Sequence, residues 1–145
     1  MKITKEWLAE KEDSENIIEY FLDKNLENIE ELEVIDTLIK DNKLRYANWF
    51  IPHLLTHREQ VQYAVFAATP AVDIFEKYNK KEKAPRKALE AAKNWLENPN
   101  EENRNACKVA AEAAVETAAA ATGADALIKT INHGIKLLKQ QKNEE

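Results

Sequence analysis

The 145-residue chain carries 26 acidic and 21 basic side chains, a net charge of −5, and its single cysteine, Cys107, excludes a disulfide framework within one chain. Two glycines, four prolines and the lack of Val-, Ile- and Thr-rich clusters exclude a strand-rich fold. No apolar run reaches the length of a membrane span and Met1 to Trp7 lack a signal-type apolar core, so a cytoplasmic protein is expected, without membrane contact.

Thr4 is placed to cap a short first helix through Lys11, with Trp7 and Leu8 turned inward. Asp13 or Ser14 caps a second helix, in which Ile17, Ile18, Phe21 and Leu22 form apolar pairs four apart above Leu26. Asn28 and Glu31 make a capping-box variant that opens a third helix, with Ile29, Leu32, Ile35, Leu38 and Ile39 on one side. Asp41-Asn42 ends that helix and caps a fourth, where Leu44, Ala47, Ile51, Leu54 and Leu55 recur at helical spacing and Pro52 kinks or ends the regular bonding.

Thr56 and Glu59 form a full capping box. Val61, Val65, Ala68, Val72 and Phe75 then keep one phase straight through Pro70, which predicts one kinked helix from Val61 to Tyr78. After the polar loop 79–83, Pro85 suits the first turn of a helix that turns Ala88, Leu89, Ala92, Trp95 and Leu96 inward. Asn98-Pro99-Asn100 ends it.

Asn105 to Thr122 follow as an alanine-dominated helix stopped by Gly123. Its polar residues Arg104, Lys108, Glu112 and Glu116 fall four apart in one stripe, so nearly every other face is open to close packing. The last helix carries Leu127, Ile128, Ile131, Ile135 and Leu138, and residues 138–145 are expected to fray. The fold expected is all-α: a single domain, 1–145, forming a bundle of seven or eight antiparallel or orthogonal helices around the central alanine-rich helix.

Charge is uneven along the chain. Residues 1–40 hold twelve acids against five lysines, whereas residues 41–100 hold seven acids against ten bases. The carboxylates Glu12, Asp13, Glu15, Glu27, Glu30, Glu31 and Glu33 make an acidic patch suited to a basic protein and ill-suited to nucleic acid. The alternative is a solvated face, and for Glu30, Glu31 and Glu33 the dipole of the third helix is itself a structural reason to be acidic. Tyr46 and Trp49 lie in the most aromatic segment, either as core residues with surface tips or as anchors for a partner.

Other chemistry is thin. His53 and His57 are four apart, but a zinc site wants three or four ligands and Pro52 and Thr56 interrupt a shared face. Cys107 among alanines reads as a small apolar filler. Lys77, Lys80, Lys81, Lys83, Arg86 and Lys87 form a basic cluster diluted by Glu76 and Glu82, a solvated loop or a phosphate contact. No glycine-rich phosphate loop and no nucleophile signature is present, so no cofactor, no metal and no enzymatic activity are expected.

Three stretches carry a resemblance: Lys2 to Leu8, Tyr46-Ala47-Asn48-Trp49-Phe50, and Gln62 to Ala68 continuing through Val72 to Tyr78, Pro85 to Lys93, Glu97-Asn98-Pro99 and the alanine run. Together they resemble the alanine-rich, all-helical immunity proteins of bacterial toxin–immunity systems, especially phage-encoded relatives. That family usually has an arginine just before the proline at position 85 and an aspartate two places earlier, where this chain has Ala84 and Glu82. The resemblance implies a helical, non-enzymatic inhibitor that occludes a toxin or a bacterial defence component. A structural or assembly homodimer through alanine-lined faces, and a nucleic-acid accessory protein using the basic loop, are the alternatives.

Overall fold

The structure, a computed structural model, describes residues 1–11, 15–101, 104 and 123–144. The described residues are helical apart from one minimal strand pair and connecting turns, and the chain divides into two compact units, Met1–His53 and Leu54–Glu145.

The first unit contains α1 (Lys5–Ala9), α2 (Glu15–Asp23), α3 (Glu31–Lys40) and α4 (Leu44–Phe50). Thr4 caps α1 as its sequence requires, accepting the Trp7 amide at 3.1 Å. The third helix begins later than the Asn28–Glu31 capping box implies. Asn28 sits at φ 64°, outside any helix-opening conformation. Its amide donates to the Ile3 carbonyl, and the Glu31 amide to that of Met1. Between them β2 (Ile29–Glu30) pairs antiparallel with β1 (Lys2–Ile3), Ile29 opposite Ile3. This pairing satisfies backbone groups that a helix would have used, and it buries Ile3 completely.

Two helix ends in this unit, those of α2 and α3, are built from asparagine. Past α2, Asn25 takes φ 55°, the Leu26 amide reaches the Phe21 carbonyl and the Asn25 amide that of Leu22. Past α3, Asn42 takes φ 57°, with Lys43 bonded to Leu38 and Asn42 to Ile39 in the same way. Both are Schellman endings with asparagine in the position glycine usually holds. Asp41 therefore ends α3 but does not cap α4, whose N-cap Lys43 makes no side-chain bond. Ile17, Phe21, Ile35, Leu38, Ala47 and Phe50 lie in the core, while Leu22 is exposed. Phe50 meets Trp7 edge-on at 5.7 Å and Phe21 at 5.9 Å. After α4 the chain tightens into a 3-10 turn, Ile51–Leu54, around Pro52, which ends regular α bonding as expected.

The second unit contains α5 (His57–Tyr78), α6 (Ala84–Glu97) and α7 (Gly123–Glu144). The Thr56–Glu59 capping box is formed in both directions, and α5 continues through Pro70. α5 packs against both α6 and α7. Val61 meets Ala92 and Trp95, and two turns further along α5 Ala68 and Val72 meet Leu89. Arg58 donates to the Leu96 carbonyl at 3.0 Å, placing a cation at the C-terminal end of α6. α7 buries Leu127, Ile131 and Leu138 as its stripe predicts, but Ile128 is exposed. Residues 139–144, expected to fray, continue the helix. Gly123 takes φ +73°, the left-handed geometry that suits a helix stop. The alanine helix Asn105–Thr122, with Cys107 and the stripe Lys108, Glu112 and Glu116, lies outside the described residues.

Candidate protein-binding surfaces

Of the seven carboxylates singled out from the sequence, the side chains of Glu27, Glu30, Glu31 and Glu33 are described. Glu31 is buried, with 5% of its area exposed, and accepts the Met1 ammonium at 2.6 Å; Glu30 accepts the same group at 3.0 Å. Engaging Glu31 with another protein would break this part-buried ion pair. Glu27 and Glu33 are exposed as expected. Glu12, Asp13 and the side chain of Glu15 lie outside the described residues.

Two further carboxylates of the same unit are exposed. Glu19 and Asp23 are exposed on α2, four apart, in phase with Glu15. With Glu15 they make an i, i+4, i+8 acidic row in the sequence, on the side of the helix away from its apolar residues Ile17 and Phe21. Asp36, also exposed, is paired with Lys40 at 2.8 Å. Lys24 lies 3.6 Å from Asp41, which also accepts the Tyr20 hydroxyl at 2.6 Å. That bond and the lysine hold the Asp41 carboxyl below its ordinary value. Burial, then the Asp41 bond, pushes the Tyr20 phenol up to about 12.

Tyr46 and Trp49 are half-buried and already packed. Tyr46 meets Tyr20 edge-on at 5.6 Å, with the Lys43 ammonium 5.7 Å from its ring. Trp49 lies 4.5 Å from the His53 ring, whose Nδ1–H donates to the Trp49 carbonyl at 2.9 Å. Burial lowers the His53 pKa against the opposing pull of that bond, so the ring is neutral near pH 7. His57 instead packs edge-on to Trp95 at 4.9 Å. Among the described residues, no three His, Cys, Asp or Glu side chains are placed to hold a metal ion.

The basic cluster is divided by its own chemistry. Arg86 is committed to Asp73 at 2.8 Å and to Glu76 through two bonds, joining the end of α5 to the start of α6. The same contact holds the Glu76 carboxyl below its ordinary value. Glu82 accepts the Ala84 amide at 2.9 Å and so supports the first turn of α6. Lys77, Lys80, Lys81, Lys83 and Lys87 are exposed.

A second concave surface was missed in the sequence. Between α5 and α7, with Leu96 of α6 at one end, runs an open cleft of about 750 Å³. Phe66 stacks on His133 there, ring centroids 4.2 Å apart and planes 9° from parallel. Burial and Lys136 lower the His133 pKa, which favours the neutral ring in that stack. The signal was a polar row on α7, Lys129, His133, Lys136 and Gln140, at helical spacing opposite the apolar stripe that had been followed.

The described residues are thus mostly helical, with exposed carboxylates on the first unit and a lysine-lined cleft in the second, and no helix among them is long and apolar enough to cross a membrane. The chain belongs to a family of unknown function (DUF6931), whose sequence profile matches residues 34–130, about two thirds of its length. No curated protein and no solved structure matches it. The matched span opens within α3 and closes within α7, so the seven carboxylates between Glu12 and Glu33 all precede it.

Proposed function

We propose that the protein is a non-enzymatic binding module that occludes another protein through the acidic surface of its N-terminal unit. The observation that carries this reading is the exposure of Glu19, Asp23, Glu27 and Glu33 on a unit whose residues 1–53 hold thirteen carboxylates against seven lysines and arginines. Such a surface raises the encounter rate with a basic partner and rejects polyanions. The direction of the activity, neutralising a toxin or a bacterial defence component, is supported by the resemblance of residues 2–122 to immunity proteins, as is action in the cytoplasm. We further read residues 105–122 as the spine of a seven- or eight-helix bundle on their sequence alone.

Capture from a bacterial lysate with the tagged chain, beside a variant carrying Glu19→Lys, Asp23→Lys, Glu27→Lys and Glu33→Lys, tests the proposal. A basic protein retained by the wild type and lost by the folded variant supports it, with retention falling as salt rises. The same protein held equally by both removes the acidic surface from the mechanism.

A further inference from the structure

The cleft between α5 and α7 has chemistry that the acidic surface does not explain. Among the described residues lining it, the charged ones are Lys129 and Lys136, both exposed on α7, and none is a carboxylate. Its two threonines are spent within their own helices: Thr69 Oγ1 donates to the Val65 carbonyl at 2.7 Å and Thr130 Oγ1 to that of Ala126 at 3.0 Å. Among the described residues, the groups left to meet a ligand are therefore the two ammonium groups, His133 and the amides of Gln62 and Gln140. The floor is apolar, from Val65, Leu96 and Leu137, and Phe66 stands in it 41% exposed. Other apolar side chains of the protein are as exposed; what sets Phe66 apart is its place in an apolar concavity, beside a stacked ring.

We infer that this cleft docks an acidic amphipathic helix of a partner protein, its apolar side chain against Phe66 and two carboxylates on Lys129 and Lys136. The spacing selects that occupant. Lys129 and Lys136 are seven residues apart on α7, two turns, or about 10 Å. Carboxylates at i and i+7 of a helix laid along the cleft repeat that distance, and residues i+3 and i+4 between them face the floor. The lined strip of α7 from Ala126 to Gln140 extends about 21 Å, the length of a multi-turn helix rather than of a small metabolite. Burial against Phe66, Val65 and Leu137 supplies affinity, and the lysines supply register and sign.

The probe is a fluorescent alanine- and glutamine-based helical peptide with glutamates at i and i+7 and leucines at i+3 and i+4. Its counterpart carries lysines in place of the glutamates. Both are titrated against the full chain by anisotropy, with amide chemical shifts recorded alongside. The acidic peptide is expected to saturate, to shift amides within 126–140, and to bind Lys129→Glu/Lys136→Glu about tenfold more weakly or worse, while that variant gains the lysine peptide. Phe66→Ala is expected to weaken binding at every salt concentration. Failure of the acidic peptide to bind, equal affinity for both peptides, or shifts that map away from α7 overturns the inference. Self-association of the wild type in a light-scattering dilution series, abolished by the lysine reversals, assigns the cleft to a second copy and overturns it too. The four-fold reversal of the acidic surface leaves this titration intact, so the two proposals fail separately.

Discussion

Replacing Pro70 by alanine should make the protein more stable. Pro70 lies in the middle of α5 and is exposed, so its ring contributes little buried area. Having no amide hydrogen, it cannot bond the Phe66 carbonyl, and its ring crowds that oxygen. In a helix interior proline is about 3 kcal/mol less favourable than alanine. Against this, alanine gives the unfolded chain more freedom, which returns about 0.4–1 kcal/mol to the unfolded state. The net gain is about 2 kcal/mol, which for a chain of this length raises the Tm by about 4–8 °C. Thermal unfolding followed by circular dichroism measures it directly. An unchanged or lower Tm would refute the reasoning. It would mean that the Phe66 carbonyl already has another donor, or that α5 must be bent at this point to pack on both α6 and α7.

Phe50→Ala should cost about 3–5 kcal/mol, because the ring is fully buried and loses edge contacts with Trp7 and Phe21; urea unfolding read by tryptophan fluorescence in a Trp95→Phe background isolates the first unit. Arg86→Met should flatten the acid limb of the stability profile. The folded Glu76 pKa lies below its ordinary 4.5, so its contribution is present above that value and lost as pH falls through the folded one. Comparing unfolding midpoints of variant and wild type across that range checks the sign, and parallel profiles would contradict it. Tyr20→Phe should remove an alkaline dependence: the folded phenol is raised from 10 to about 12, so its contribution is full below 10 and fades as pH rises through 12. Ultraviolet difference titration should show one late-ionising tyrosine fewer in the variant.

Much of the fold was legible because its signals are local. Thr4 and the Thr56–Glu59 box announce helix starts by side-chain chemistry that needs no distant partner. The apolar phase from Val61 to Val72 carried α5 through Pro70 because burial against α6 outweighs one lost hydrogen bond. What could not be read depended on residues far apart in sequence. Asn28 looks like a helix cap until Ile3 is placed beside it to take its amide. Glu31 looks like an exposed dipole partner until the Met1 ammonium meets it. The cleft needed two helices brought together: Phe66 and His133 are ordinary surface residues on their own helices, and only the packing of α5 on α7 makes them a stacked pair.

The asparagine turns of the first unit have a kinetic consequence. Each of Asn25 and Asn42 closes its helix through bonds spanning five residues or fewer, so both reversals can be set before any long-range contact exists. Asparagine enters the left-handed region less freely than glycine, but it leaves the unfolded chain fewer alternatives to search. The closures that must wait are the long-range ones: Ile29 meeting Ile3, across more than two dozen residues, and Phe50 meeting Trp7, across more than forty. Folding of this unit should then be limited by these closures, with the helical reversals already in place when they form.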